Sequence, residues 1–236
     1  MYKILDWYYI LLECILSWVW RKSIKSSRIN GIVLMYHHIS DKNVDIPDTC
    51  QHTKMEFINS IAKIKKQGYD FVSIKDALNI IREKRSRKFA VVTFDDVPLS
   101  VYDNAIPFLE SQKVPYTLFI TTSCVGKESF LSREHILNLK SSPYCTFGAH
   151  TVTHPNLRHC TDSLYEICES KRFLEDLLGQ SIEYFAYPYG KPGSVSYRNM
   201  KLVRQAGYKC ALGTIETAIS DMSSKCMYYL PRIIVK

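Results

Sequence analysis

From residue 32 onward the chain alternates short apolar runs with stretches of helical periodicity, and this alternation narrows the fold more than any other feature. The apolar runs cover 32–36, 71–74, 89–94, 116–121, 145–149, 183–187 and 210–213, with a short final run at 233–235. Between them, 55–67 carries apolar residues at 57, 58, 61, 62 and 64, the spacing of one helix face. Further helices are expected over 75–84, 100–112, 132–139, 163–178 and 196–206. Ser73 is placed to cap the first of these, and Gly179 and Gly207 to stop the last two. Such alternation over about 200 residues predicts an α/β fold with a parallel sheet, either closed as a barrel or open and doubly wound.

The reactive side chains bear on that choice. His37, Asp95, Asp96, His150, Tyr187 and Tyr189 all fall at the C-terminal ends of different apolar runs. Barrel enzymes build their sites there from several strands, whereas an open sheet gathers ligands near one switch point. The spread favours a (β/α) barrel of seven or eight parallel strands. With 46% hydrophobic and 23% charged residues in 236, one such domain can bury a full core. No repeat or linker divides it, so the expected organisation is residues 1–30 as an N-terminal extension and 31–236 as one catalytic domain.

The formal charge of +8 is spread without a nucleic-acid-binding motif, so no nucleic-acid partner is expected. The eight cysteines include no C-x-x-C pair, and reduced core cysteines are the reading adopted. All three Trp lie in residues 4–20, an otherwise apolar stretch whose Asp6, Glu13 and Ser17 share one narrow face. A helix there suits a membrane surface, with a single span or docking on the protein's own core as alternatives. The cations at 21, 22, 25 and 28 extend the membrane-associating stretch over 4–28. They bias the downstream chain toward the cytoplasm or the cytoplasmic membrane face, with an extracytoplasmic, signal-anchored form as the alternative.

Chemistry concentrates at Thr93-Phe94-Asp95-Asp96 and His150-Thr151-Val152-Thr153-His154. Asp96, His150 and His154 make a three-ligand N₂O set with one position open, the pattern of catalytic zinc. Cobalt, nickel, manganese or iron also suit these donors. The alternative for Asp96 is a helix N-cap ahead of Val97-Pro98. Asp95 is left as a base for water bound at the metal, and a carbonyl compound as the substrate. Tyr187-Pro188-Tyr189-Gly190 reads as a turn able to present backbone N–H groups to an oxyanion.

With these motifs in this order, residues 31 to 236 resemble the polysaccharide deacetylase family (the NodB-type homology domain, carbohydrate esterase family 4). The resemblance implies a distorted β/α barrel and metal-dependent removal of acetyl groups from N-acetylated sugars. It implies Asp95 as base, Asp96, His150 and His154 as ligands, and Tyr187, Pro188, Tyr189 and Gly190 as a substrate-groove wall. Leu34-Met35-Tyr36-His37-His38-Ile39 resembles the opening of a subgroup. Three departures stand out. Val97 replaces a usual Gly, Ala186 replaces an Arg that orients the base, and no His follows His159 to supply the late general acid. Arg232 is the candidate for the missing Arg at the substrate site, and His37 for the missing acid.

The function expected is therefore N-deacetylation of an amino sugar in a glycan or lipid-linked sugar. An O-acetyl esterase or other metal-dependent amide hydrolase is the alternative of the same class. A non-catalytic glycan-binding protein is the alternative of a different class. Oligomeric state is left open.

Overall fold

The computed structural model describes residue 27 and residues 29–41 and 51–235. The expected helix over 4–20, its basic flank and most of the 1–30 unit lie outside the described residues. No described helix is long and apolar enough to cross a membrane.

The long strands are β1 (Ile29–Tyr36), β5 (Arg87–Asp96), β6 (Tyr116–Ile120) and β7 (Cys145–Ala149). Shorter strands complete the set: β2 (His38–Ile39), β3 (Gln51–His52), β4 (Asp70–Phe71), β8 (Tyr184–Ala186), β9 (Cys210–Leu212) and β10 (Ile233–Ile234). Eight of them form one sheet in the order β10-β1-β5-β6-β7-β8-β9, with β4 beside the start of β5. Every strand pair in it is parallel. Leu230 bridges Leu212 of β9, and three residues later the chain pairs with β1. The last segment thus links the two edges of a half-barrel sheet, an α/β arrangement consistent with the expected distorted barrel. β2 and β3 pair separately, and no periodicity announces them.

The helices between the strands are α1 (Lys54–Lys66), α2 (Ile74–Glu83), α3 (Leu99–Asn104), α4 (Ile106–Ser111), α5 (Arg133–Lys140), α6 (Ser163–Leu178) and α7 (Tyr197–Gln205). Their starts follow hydroxyl and carboxylate caps. Thr53, Ser73, Ser132, Asp162 and Ser196 each accept a first-turn N–H. Gly179 ends α6 in a left-handed conformation.

Three expectations need correction. The run 71–74 forms only a two-residue strand, because the Ser73 hydroxyl accepts the Asp76 N–H and starts α2 at Ile74. The single helix over 100–112 is two, α3 and α4. Pro107 has no N–H to return to the preceding turn, and the axis breaks at Ala105. The run 89–94 is the centre of a longer strand that includes both Asp95 and Asp96.

Strand alternation divides the core. Ala90, Val92 and Phe94 of β5 pack in a cluster with α1, α4, α5 and α6. Phe89 and Val91 face the other way, with Val33, Phe119, Leu212 and the apolar face of α2. Thr93 and Asp95 belong by period to this second, interior face.

Candidate active site

Two adjacent carboxylates on a regular strand point to opposite faces. Here both approach one imidazole. His150 Nε2 lies 3.8 Å from Asp95 Oδ2 and 3.9 Å from Asp96 Oδ1. The backbone explains this, because Asp96 has φ 59° and Val97 φ 54°. The Val97 N–H donates to the Asp95 carbonyl at 2.6 Å, closing a three-residue turn about Asp96. A left-handed conformation is strained for a β-branched residue, and Val97 holds it while buried. This is the position where the family resemblance leads one to expect Gly.

Asp95 sits among buried groups. Arg232 reaches it from the segment before β10, Nη1 to Oδ1 at 2.6 Å and Nη2 to Oδ2 at 2.7 Å. The Arg232 Nε–H donates to the Gly213 carbonyl, and the guanidinium lies 5.8 Å from the Phe119 ring centre. Arg232 is wholly buried and Asp95 2% exposed, so the pair is a bidentate ion pair without solvent. Burial alone would raise the Asp95 pKa. The Arg232 guanidinium, then His150, outweigh it and hold the carboxyl well below the usual carboxylate range. His37 acts in the same direction. The pairing of Tyr36 with Phe94 brings it alongside Asp95 at the neighbouring strand end.

Asp96, His150 and His154 form the only cluster among the described residues able to hold a metal ion, their ligand atoms all within 4.8 Å of one another. His154 Nε2 is 3.8 Å from Asp96 Oδ1. The Thr121 hydroxyl, just beyond β6, donates to the same oxygen at 2.9 Å. His150 Nδ1 is 2.8 Å from the Ala186 carbonyl, which can only accept. The Nδ1 proton is thereby assigned, and the Nε2 lone pair is left facing the cluster. Burial lowers the His150 pKa, which favours the neutral ligating form.

The loop between the two histidines is pinned by a residue that no sequence motif marks. Glu166, buried in the first turn of α6, accepts the N–H groups of Val152 at 2.8 Å and Thr153 at 2.9 Å. It also accepts the Thr153 hydroxyl at 2.6 Å. A carboxylate at the start of a helix is well placed electrostatically, and here it also satisfies two amides and a hydroxyl of the loop. Its one sequence signal is an acid in the first turn of a helix, which has no specificity.

The four residues expected to form a groove wall separate. Tyr187 is buried, its hydroxyl donating to the Tyr228 carbonyl, so its side chain belongs to the core and not to an open wall. Tyr189 is 57% exposed and packs its ring 5.0 Å from that of His154. Pro188 and Gly190 close the turn around Tyr189, the Gly190 N–H donating to the Pro188 carbonyl at 2.7 Å. Tyr189 and Gly190 have φ 61° and 63°, and a Cβ on Gly190 would lie 2.6 Å from Thr214 Cγ2. Arg232, grouped with the substrate-site residues as the candidate for the Arg that orients the base, is sealed behind Asp95 with a hydrogen bond to each carboxylate oxygen, and it reaches a substrate only through Asp95.

A family model described as polysaccharide deacetylase matches residues 82–211, more than half of the chain. The poly-beta-1,6-N-acetyl-D-glucosamine N-deacetylase of Staphylococcus aureus (strain MRSA252) is 26% identical over 199 residues, 78% of this chain and 67% of that protein. Among solved structures, the Streptococcus pyogenes deacetylase PplD in complex with acetate superposes with a TM-score of 0.77 at 24% identity, covering 88% of this chain and 92% of that one. IcaB from Ammonifex degensii gives 0.77 at 23% identity, with 88% and 92% covered. The two solved structures share the fold.

Proposed function

The chain belongs to the polysaccharide deacetylase family, and on that premise we propose that it hydrolyses the N-acetyl group of an amino sugar within a glycan, using a divalent metal. The observation that carries the reading is the approach of Asp96, His150 and His154 to one another beside an Asp95 held ionised by Arg232.

The three donors fit a metal. Their chemistry is N₂O, the His150 tautomer presents a lone pair, and the three ligand atoms lie within 4.8 Å of one another. Zinc is the first expectation. Such an ion would polarise the acetyl carbonyl and acidify water. Asp95 then accepts the proton of the attacking water. Its low pKa makes it a weak base at rest, so Arg232 serves chiefly to fix both carboxylate oxygens and keep them charged. The Tyr189 N–H, at the exposed turn beside His154, is the donor for the developing oxyanion. His37, at the end of β1, protonates the leaving amine. The His37→Gln variant should lose turnover and the alkaline side of its pH profile; full turnover with an unchanged profile removes the assignment.

The relative from S. aureus is named for poly-β-1,6-N-acetylglucosamine, and a polymer of that kind is the first substrate to try. A lipid-linked sugar is the second. The apolar stretch 4–20 with the cations after it supports a place at the cytoplasmic membrane surface, to be checked by co-sedimentation with anionic vesicles.

The deciding experiment is acetate release from N-acetylhexosamine glycans by chelator-treated protein, with and without added Zn²⁺ or Co²⁺, beside Asp95→Asn. Metal-dependent release lost in the variant supports the reading. Metal bound at one ion per chain without acetate from any N-acetylated sugar would overturn it, and O-acetylated glycans in the same panel separate an esterase from an amidase.

A further inference from the structure

A second cavity, of about 560 Å³, lies behind the 189–190 turn, between α7 and residues 215–229. Its size suits one or two sugar units. Arg158, Lys201, Arg204 and Lys225 line it, and no Asp or Glu does. Lys201, Arg204 and Lys225 are exposed, and among the described residues none of these three is in an ion pair. Four cations around one concavity repel each other and attract an anion. Aromatic faces accompany them: Tyr197, 71% exposed, with Lys201 Nζ 4.8 Å from its ring centre, and Tyr229.

One turn joins this cavity to the metal cluster. On one side Tyr189 packs against His154. On the other, the Gly190 carbonyl accepts the Tyr229 hydroxyl at 2.8 Å and the Thr214 N–H at 2.9 Å. A chain engaged at the metal cluster and crossing that turn enters a basic, aromatic-lined pocket.

We propose that this cavity binds a phosphate-bearing sugar, so that the enzyme acts on an acetylated residue next to an anionic one. The proposal rests on the deacetylase reading for its second half. Charge argues against a run of deacetylated product there. Each hydrolysis leaves an amine that is protonated near neutrality, and four cations would repel it. Lysine and arginine together hold phosphate by charge and by directed hydrogen bonds, while tyrosine rings cover the apolar face of a sugar.

The test uses the full chain, a Lys201→Gln/Arg204→Gln variant and Tyr197→Ala. Binding is measured first by calorimetry, in the Asp95→Asn background, with an N-acetylglucosamine oligosaccharide, the same oligosaccharide carrying a phosphate, and inorganic phosphate. Expected is tighter binding of the phosphorylated chain, weakened about tenfold in the double variant and by added salt. Equal binding of the neutral and phosphorylated chains, or no effect of the double variant, overturns the proposal. Inorganic phosphate binding as tightly as the phosphorylated chain, or Tyr197→Ala binding that chain as the parent does, overturns the sugar part. In the parent chain, kcat/KM for acetate release should favour the phosphorylated substrate, and the double variant should lose that preference while keeping its rate on the neutral one. Phosphate-dependent binding without acetate release would leave the pocket standing and remove the deacetylase reading; acetate release without any phosphate preference would do the reverse.

Discussion

The site has an inner and an outer half, and one peptide unit joins them. In the inner half, Asp95 and Arg232 are sealed against Phe119 and Gly213, with the Asp95 side chain 3% exposed. In the outer half, the Asp96 and His154 side chains are 30% and 29% exposed and Tyr189 stands in solvent. The inner carboxylate already has a partner for each oxygen. The outer one accepts the Thr121 hydroxyl, and the two imidazole Nε2 atoms stand 3.9 Å and 3.8 Å from the same oxygen, too far to hydrogen-bond it. Where charges are buried, the fold supplies its own counter-ion; where they face solvent, the geometry is left for a ligand to complete.

Removing the inner charge is the sharpest way to break this division. Asp95→Asn should lower acetate release by about 10²–10⁴-fold while leaving metal binding intact, as read by turnover and by metal titration. Loss of metal binding as well would mean the halves are not separate.

Deleting the inner partner is the next largest change. Arg232→Met leaves a buried carboxylate uncompensated and should cost about 3–5 kcal/mol of stability in urea unfolding near neutral pH. The sign of its pH dependence follows from the depressed Asp95 pKa. The stabilisation is complete above the ordinary aspartate range and is lost as pH falls through the native value. The gap between parent and variant should therefore narrow on acidification below about pH 4. A gap that widens there would contradict the ion-pair account.

Effects on the outer half are smaller and should appear in affinity. Glu166→Gln keeps the shape but removes the charge that gathers the Val152 and Thr153 amides and the Thr153 hydroxyl. Metal affinity should fall about 10–100-fold with far-UV circular dichroism unchanged. Affinity equal to the parent's would show that the histidine loop holds its form without Glu166.

Smallest is Gly190→Ala. Its φ of 63° and the 2.6 Å approach to Thr214 Cγ2 make even one methyl strained, and about 1–3 kcal/mol is expected. Turnover should drop more than metal affinity, because the Tyr189 turn moves and the ligands do not.

Much of the fold is legible in the chain because its signals are local. The runs 145–149 and 163–178 are a strand and a helix with those same bounds, since a β-run and a capped amphipathic helix declare themselves within a few residues. The split at Pro107 is equally local in cause, but the continuous apolar spacing over 100–112 hides it, and the sequence predicts one helix where there are two. The single peptide turn that reverses Asp96 onto the face of Asp95 is not legible, because Val97 gives no hint of a left-handed backbone.

Which residues are candidates for the chemistry can be read from the chain without its coordinates. Asp95, Asp96, His150 and His154 stand out by spacing and strand ends, because Asp and His are common metal donors and a parallel sheet gathers such groups at the C-terminal ends of its strands. Which side chains face one another is a matter of tertiary structure. It seats Arg232 on Asp95 across 137 positions of chain, sets Glu166 under the histidine loop and takes Tyr187 into the core. Those outcomes depend on how a curved sheet brings distant segments together, and side-chain pairing at that range leaves no periodicity in the chain.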